Sequence, residues 1–487
     1  MKAFLRGLSA VALVNVVSGV LGIVVVPIAV RRLGIEGYGL YSMFSVLTGY
    51  LILVELGLGK NLVRRLGAAA SEGETRRLLQ LALGLYVTIA GVLVLLSPVI
   101  LPAVTSLLFR VSAQHVATLR WITIVAIVDY LLSIPSSLRW NYALSQERVG
   151  DYARFMLQSN SARSLLMLAG VLLTVRVELA IAFVLGRRLI DLAVAPRILP
   201  ALPEGSWRPR FEFNECRALL GQSSLLAMTQ LLQLSSVAVG SVLVNLFFGL
   251  TALGTYRSTF DVVTKVWFFS ITAQTVLYPR FIQLMKREES RLRLLRLLPG
   301  VQTASWLTYC ILGVVGSVGS VFILRLIHLD GSTTPILFSL LLVGVLWNAH
   351  AILSGELLQA RAAFRRVAEV AGVAFAVMTI VFLLLSRLML TEAIGWAWMF
   401  SQFLSSALID YYAVRGLGGE VRWPAIVRER LPAAAIVLSA IACRAHAPFL
   451  LVGILGLAGA LYVTTQLRGM RNALLDLFGR RVLAEGV

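Results

Sequence analysis

Three charged residues with helical spacing lie inside an apolar segment. Arg257, Asp261 and Lys265 are four residues apart. Each step of four residues turns an α-helix by about 400°, so the three side chains fall within an arc of roughly 80° on one face. Since the planar guanidinium of arginine binds phosphate oxygens in two places, the stripe predicts a cationic site for a phosphate group. The alternative is an internal salt-bridge ladder in which Asp261 is shared between the two cations.

A second set of charges lies in the fifth and sixth apolar segments. Arg187 and Asp191 are one helical turn apart and can form an ion pair, with Arg188 beside them. These residues either line a cavity or mark an early helix end, from which long side chains reach water. Arg163, near the middle of the fifth segment, predicts cavity lining, or a partner elsewhere in the first half of the chain.

Two carboxylates are candidates for binding a coupling ion. Asp129 is the single charge inside the fourth segment, and Glu55 lies toward one end of the second. A carboxylate within a membrane marks an ion or proton pathway where it has no structural partner. The alternatives are that Glu55 is a helix-end residue and that Asp129 pairs with Arg163 or Arg139.

The remaining titratable residues suggest no catalysis. Asp410 is interpreted as an interface residue near a helix end, and His350 and His328 have no partner at metal-ligand spacing. The three cysteines are far apart, which indicates neither a zinc site nor a disulfide framework. No HExxH, P-loop, GxSxG or DxD motif occurs. We therefore predict no metal, no cofactor and no catalytic residue.

The elements that position these charges are membrane-spanning helices. Of the 487 residues, 58% are hydrophobic and 14% are charged, against about half and about a quarter in soluble domains. The apolar segments are continuous runs of about 20 residues, which is typical of helices and not of β-barrels. We predict an all-α polytopic protein with about fourteen spans, at 8–30, 39–58, 79–101, 119–138, 155–175, 178–199, 219–247, 255–277, 299–324, 335–355, 367–386, 392–413, 431–444 and 447–466.

The net charge of +20 is explained mainly by topology. In a soluble chain it would suggest nucleic-acid binding. If the amino terminus is cytoplasmic, 31 of the 44 basic residues fall in cytoplasmic segments, 8 in outer loops and 5 within spans. This bias follows the positive-inside rule. We therefore predict a multi-pass protein of the bacterial inner membrane with both termini in the cytoplasm and no nucleic-acid partner.

A short motif occurs twice. The stretches Gly34–Tyr41 and Gly249–Tyr256 both read G-x-x-x-x-G-x-Y, at an offset of 215 residues. An offset of six spans relates two lobes by an axis along the membrane normal. The predicted organisation is an N-lobe, a cytoplasmic linker, a C-lobe and a final segment of two helices and a tail, at 1–199, 200–218, 219–413 and 414–487.

The motif and its surroundings resemble a known family. Arg32–Tyr41 reads RLGIEGYGLY and Glu55–Arg64 reads ELGLGKNLVR. These stretches are similar to "LG-x-x-x-YG-x-Y" and "D-x-GLG-x-x-x-x-R" of the polysaccharide-transport family, the O-antigen and exopolysaccharide flippases of the multidrug/oligosaccharidyl-lipid/polysaccharide (MOP) exporter superfamily. Leu253–Tyr256 and Leu277–Arg280 resemble the family's second half. The sequence departs from the pattern at Glu55, where Asp is usual, and in its charged sixth helix.

The resemblance implies a MATE/MurJ-like fold and a transporter, not an enzyme. Its cargo would be an undecaprenyl-pyrophosphate-linked oligosaccharide of O-antigen, lipopolysaccharide or exopolysaccharide biosynthesis, moved by alternating access. Membrane lipid, a polysaccharide polymerase and a chain-length regulator would be partners, and H⁺ or Na⁺ the coupling ion. The cations Arg257, Lys265, Arg163, Arg187 and Arg188 would bind the pyrophosphate, and Asp261, Asp129, Asp191 and Glu55 would be coupling or cavity acids.

Three alternatives stay open. A MATE-like cation-coupled drug exporter needs an acidic cavity, against which five cations and three acids within the central spans argue. A lipid II flippase would share the cationic site. A membrane glycosyltransferase, polymerase or ligase needs a catalytic acid on a sizeable loop, and the predicted outer loops are about ten residues or fewer.

Overall fold

The described part of the protein is mainly helical. The computed structural model describes residues 2–54, 58–104, 111–267, 334–361 and 363–418, with Ser270, Ile271, Gln274, Phe281, Gln302, Gly313, Leu324 and Arg325. These residues contain no strand, which confirms the all-α prediction. Their α-helices are α1 (Lys2–Val54), α2 (Leu58–Leu66), α3 (Glu72–Ala103), α4 (Val116–Ser145), α5 (Val149–Leu173), α6 (Val177–Ile198), α7 (Phe213–Val263), α8 (Thr334–Ala360), α9 (Phe364–Leu385) and α10 (Glu392–Gly416). Short 3₁₀ turns occupy Ala113–His115 and Thr264–Val266.

Six of the described helices are long and apolar enough to cross a membrane. They cover Val16–Leu51, Glu72–Ala103, Ala113–Ser145, Ala238–Val266, Pro335–Ala360 and Phe364–Leu385. The sixth predicted span is a helix for its full length, from Val177 to Ile198, so it does not end early at its charges. The last two predicted spans and most of the ninth lie outside the described residues, and the count of fourteen stays a prediction.

Both copies of the repeated motif begin at a kink. Gly34 in α1 has φ 73° and ψ 169°, and Gly249 in α7 has φ 82° and ψ −174°. Positive φ is readily adopted only by glycine, so each copy starts with a glycine for the same backbone reason. The loops predicted between the first two spans and between the seventh and eighth are therefore single sharp breaks in long helices.

The two motif copies pack against each other. An added Cβ at Gly39 would lie 2.9 Å from the carbonyl oxygen of Leu250, and one at Gly254 would overlap the carbonyl oxygen of Ile35. Gly39 and Gly254 hold the same motif position. Only residues without a side chain allow the two backbones to come this close.

The chain divides into two compact units, Met1–Val262 and Val263–Val487. In the first, α4 packs against α1, α2, α3, α5 and α6, and α5 packs against α1 and α6. In the second, α10 packs against α8 and α9. The lobe boundaries at 199 and 219 stay a prediction.

The predicted linker lies against α3 of the first unit. The backbone amide of Arg210 donates to the carbonyl of Gln80 at 3.0 Å, and Arg77 forms an ion pair with Glu212 at 2.7 Å. The bundle of α1, α4, α5 and α6 on the other side of α4 from this contact brings the in-span charges of three helices together.

Candidate functional site

A polar cavity of about 190 Å³ lies within the first unit. Its wall is formed by α1, α4, α5 and α6, and it contains four of the predicted site residues. Asp129 comes from α4, Arg163 from α5, and Arg187 and Arg188 from α6. These four charged residues, which the sequence places in three separate spans, therefore share one site.

Arg188 is held by two aspartates. Its Nε donates to Oδ1 of Asp129 at 2.9 Å and its Nη2 donates to Oδ2 at 2.6 Å, so the guanidinium and carboxylate meet in a two-point contact. Its Nη1 lies 3.5 Å from Oδ2 of Asp191. All three residues are buried, with exposures of 9%, 4% and 1% for Arg188, Asp129 and Asp191. The expectation that Asp129 pairs with Arg163 or Arg139 is wrong, because α6 presents a closer guanidinium.

Arg187 is held more loosely than Arg188. Its Nη2 is 3.7 Å from Asp129 and its Nε is 3.9 Å from Asp191. The Nε is buried and makes no hydrogen bond to any residue that the structure describes. A buried donor left without a hydrogen bond costs about 1–3 kcal/mol. Arg187 can therefore gain a charged acceptor without first breaking a good hydrogen bond at Nε.

Arg163 completes the cationic wall. Its Nη2 donates a long hydrogen bond of 3.5 Å to Oγ of Ser45 in α1. Arg163 and Arg188 are both close enough to Arg187 to repel its charge. Arg163, Arg187 and Arg188 with Asp129 and Asp191 carry a net charge of +1, so an anion that enters relieves repulsion between the arginines.

The rest of the cavity wall is mixed in character. Trp140, Tyr130 and Phe44 contribute aromatic rings, and the polar side chains are Thr48, Ser133, Ser159 and Asn160. Pockets for drug-sized ligands measure about 300–1,000 Å³. In this conformation the cavity is therefore large enough for a compact charged group and not for an extended ligand.

Arg257 and Asp261 form a second polar cluster in the first unit. Nη2 of Arg257 donates to Oδ1 of Asp261 at 2.8 Å, and the Tyr38 hydroxyl donates to Oδ2 at 2.8 Å. The Arg257 guanidinium also lies over the ring of Phe260, 5.6 Å from its centroid. Both oxygens of Asp261 are thus engaged, which favours the salt-bridge alternative for this pair. Nε of Arg257 is nevertheless buried without a hydrogen bond to a described residue.

Lys265 departs from the predicted stripe. The α-helix ends at Val263, and Lys265 lies in the following 3₁₀ turn Thr264–Val266. A 3₁₀ helix has about 3.0 residues per turn instead of 3.6, so the regular α-helical spacing of the predicted stripe stops before Lys265. Glu55, the remaining predicted acid, lies outside the described residues.

A further buried cluster in the second unit was not predicted. Asp410 of α10 accepts hydrogen bonds from Ser354 of α8 at 2.5 Å and from Gln302 at 3.0 Å. Nε2 of His350 lies 3.2 Å from its other oxygen. The sequence shows no metal-ligand spacing around His350 and does not predict this carboxylate partner, and the interpretation of Asp410 as an interface residue stays a prediction. In the sequence, the only signal for this cluster is that His350 and Ser354 lie one helical turn apart in an apolar span. That spacing does not predict a site until the structure places Asp410 opposite them.

Comparison with solved structures identifies the fold. The lipid II flippase MurJ in an inward closed conformation matches with a TM-score of 0.68 and 11% identity, over 96% of this chain and 99% of that chain. An inward-facing multidrug resistance MATE family transporter of the MOP superfamily matches with a TM-score of 0.61 and 11% identity, over 86% and 99%. The eukaryotic MATE transporter AtDTX14 matches with a TM-score of 0.60 and 14% identity, over 89% and 98%. No curated protein matches the chain.

The fold is that of MurJ and the MATE transporters, and the apolar helices define the class as a multi-pass membrane protein. Within that class the chain belongs to the polysaccharide biosynthesis protein family, whose family model matches residues 4–285, more than half of the sequence. The resemblance drawn from the two motif stretches is thereby confirmed. Among the described residues, no group of three His, Cys, Asp or Glu side chains is placed to hold a metal ion.

Proposed function

We propose that the protein is a flippase for a polyprenyl-pyrophosphate-linked oligosaccharide of O-antigen or exopolysaccharide biosynthesis. The observation that carries the proposal is the cationic cavity with its loosely held Arg187, whose Nε lacks a hydrogen bond. The pyrophosphate of this cargo is esterified at both ends and is a compact dianion with several oxygens, and arginine binds such oxygens in a planar, two-point geometry. The family supports a cargo from polysaccharide biosynthesis.

The three arginines of the cavity have different roles in binding. Arg188 is locked to Asp129 by two hydrogen bonds and serves to hold the wall in shape. Arg187 and Arg163 have weaker contacts, at 3.7 Å and 3.5 Å, and turn toward the anion. Desolvating a pyrophosphate is costly, and hydrogen bonds from fixed cations offset the cost. The aromatic and hydroxyl groups of the remaining wall suit the first sugar.

Transport follows from alternate opening of this site to the two sides of the membrane. The sugar and pyrophosphate cross within the protein, and the polyprenyl tail stays in lipid. Because the cavity measures about 190 Å³, it must widen before sugars follow the pyrophosphate. We place the protein in the bacterial inner membrane with cytoplasmic termini, beside a polysaccharide polymerase and a chain-length regulator, with H⁺ or Na⁺ as the coupling ion.

The test is translocation in proteoliposomes. A fluorescent polyprenyl pyrophosphate that carries a short oligosaccharide is reconstituted with the protein, and its appearance in the outer leaflet is followed by chemical quenching. We expect Arg187→Gln and Arg163→Gln each to slow translocation by roughly tenfold or more, because hydrogen bonds to charged groups contribute about 1.5–3 kcal/mol. Arg120→Gln is the matched control, since Arg120 is an exposed arginine of α4 outside the cavity. Unchanged rates in both cavity variants would refute the proposal.

Two alternatives share the fold and differ in cargo. A cation-coupled drug exporter needs a site that attracts organic cations, and a net charge of +1 repels them; one MATE neighbour is described as a multidrug resistance transporter. A lipid II flippase, as MurJ is described, would use the same arginines for the same pyrophosphate. Assays with an organic cation, lipid II and the oligosaccharide lipid distinguish the three. Transport of the cation alone would favour the exporter, and transport of lipid II alone the second alternative.

A further inference from the structure

We propose that Asp410 and His350 form a proton-binding site in the second unit, separate from the cationic cavity. Oδ2 of Asp410 lies 3.2 Å from Nε2 of His350, and Oδ1 accepts hydrogen bonds from Ser354 and Gln302 at 2.5 Å and 3.0 Å. The four side chains come from α8, α10 and the residue Gln302. Gln302 also donates to Oγ of Ser354 at 2.9 Å, which ties the cluster together.

The cluster is closed off from solvent. Asp410 is 5% exposed and His350 is 4% exposed, and Ser354 is fully buried. Apolar residues next to these positions on both helices, among them Leu353, Leu357 and Ile409, belong to a buried hydrophobic cluster. A charge within such surroundings is costly, so the ionisation state of the pair matters more here than at a surface.

The pair is electrically neutral with one proton and carries a charge of −1 without it. With one proton the pair is either carboxylate and imidazolium or carboxylic acid and imidazole. Loss of the proton to water leaves the carboxylate and a neutral imidazole, and the apolar surroundings disfavour that state. Binding or release of one proton therefore changes the net charge buried at this site by one unit. A proton suits the site better than Na⁺, because N–H and O–H donors surround the carboxylate where a hard cation needs oxygen ligands.

The elements that carry or adjoin the pair also carry other titratable groups. On its own helix, Asp410 is followed by Tyr411, Tyr412 and Arg415 toward the helix end. Across the interface, α8 contributes Glu356, and the turn that packs on α8 contributes Lys265. The charged residues at the junction of α8 and α9 are Arg361, Arg365, Arg366 and Glu369. Arg365 and Arg366 pair with Glu369 at 3.0 Å and 2.8 Å, on the exposed surface.

Glu356 provides a matched control for Asp410. It is a buried carboxylate of the same unit, 4% exposed, and it accepts hydrogen bonds from Gln359 at 3.3 Å and from Gln274. Both of these hydrogen bonds come from side-chain amides. It lies six residues from His350, which turns it by about 240° away from the histidine on α8.

Proton binding is tested on the purified full-length protein, without cargo. Infrared difference spectra are recorded as pH is varied, and a protonated carboxylic acid gives a distinct C=O stretch. We expect one such band in the wild type that is absent in Asp410→Asn and present in Glu356→Gln, and that titrates at a different pH in His350→Gln. Ser354→Ala, which removes one hydrogen bond and leaves both titratable groups, should shift the titration without removing the band. A band that survives in Asp410→Asn and disappears in Glu356→Gln would overturn the assignment.

A coupling role for this proton rests on the proposed transport function, and its test is separate. For one proton exchanged per cargo molecule, a gradient of one pH unit drives about a tenfold accumulation at equilibrium. We expect about tenfold accumulation across the vesicle membrane in the wild type and in Glu356→Gln, and a ratio near one in Asp410→Asn. A tenfold ratio retained in Asp410→Asn would show that the proton is not coupled. No movement of cargo in the wild type, with the infrared band intact, would contradict the proposed function and leave the proton site standing.

Discussion

The carboxylate of Glu36 accepts a hydrogen bond of 2.8 Å from the hydroxyl of Thr251, and the two residues are 215 positions apart. That separation is also the offset between the two motif copies, so each residue occupies the same place in its own copy. Contact between equivalent residues is what a two-fold relation between the copies requires. In this conformation the segment before the second span therefore contacts the segment before the eighth. Both segments are predicted to lie on the outer side of the membrane.

We expect separation of the two motif copies to be necessary for transport. In a chain whose Cys216, Cys310 and Cys443 have been replaced by serine, Glu36→Cys and Thr251→Cys are combined and joined with a short bifunctional thiosulfonate reagent. Translocation should stop after cross-linking and recover after reduction. Each single-cysteine variant serves as control, and it should be insensitive to the reagent. Full activity of the cross-linked protein would show that these segments stay together during transport.

Gly254→Ala should destabilise this conformation. Its Cβ would overlap the backbone oxygen of Ile35, and overpacking against backbone costs about 1–3 kcal/mol. We expect a lower thermal unfolding temperature, or greater reactivity of a cysteine at position 36 with a soluble thiol reagent as the segments part. Gly49→Ala in α1 is the control, because nothing lies within 4 Å of its added Cβ. Equal effects of the two substitutions would rule out close packing at Gly254 as the cause.

Removal of Asp129 alone should be strongly destabilising. It would leave Arg188 buried without its two-point partner, and loss of one member of a buried ion pair costs about 3–5 kcal/mol. Combining Asp129→Ala with Arg188→Met should restore most of the free energy of unfolding, because the buried Arg188 guanidinium is then gone and Asp191 still has Arg187 at 3.9 Å. The measurement is denaturant unfolding in detergent. A double variant no more stable than the single one would mean that Arg188 is compensated by other groups.

A surface ion pair provides the comparison for that experiment. Arg148 and Asp151 are joined at 2.7 Å, and the Arg148 side chain is 52% exposed. Exposed pairs contribute at most about 1 kcal/mol, so Asp151→Asn should change the free energy of unfolding by no more than this. A much larger loss of unfolding free energy in Asp129→Ala than in Asp151→Asn would show that burial of the ion pair, and not the number of ion pairs lost, determines the effect.

The contact between the linker and α3 should make stability depend on pH. The hydrogen bond from Arg77 holds the pKa of Glu212 below its ordinary value. A lowered folded-state pKa contributes stability that is present above the unfolded pKa and is lost as pH falls through the folded pKa. We therefore expect Glu212→Gln to lower the unfolding temperature at neutral pH, with the difference from wild type shrinking as the pH is lowered into the carboxylate range. Glu204→Gln, an exposed carboxylate of the same segment, should show no such convergence.

Several features of the fold could be predicted because the signals for them are local. Hydropathy over about 20 residues identified the spans that the described helices occupy, since each span must be apolar by itself. The motif glycines identified two backbone positions that only glycine adopts readily, at Gly34 and Gly249. The cost of a charge in the membrane singled out Asp129, Arg163, Arg187 and Arg188 before any contact was known.

Tertiary structure decided which of those charges meet. Asp129 pairs with Arg188 and not with Arg163 or Arg139, because the rotation of α6 against α4 sets the distance. Tyr38 reaches Asp261 across 223 residues, and His350 reaches Asp410 across 60. None of these pairs has a sequence spacing that predicts it.

The sequence by itself determined that this is a helical membrane protein with a repeated motif and charges inside its spans, because hydropathy, charge and glycine spacing are properties of the chain. Only the tertiary structure decided that three arginines share one cavity and that His350 faces the buried Asp410. The physical reason is that ion pairs and cavities depend on how helices are rotated and packed against one another, which is set by the whole core and not by any single segment.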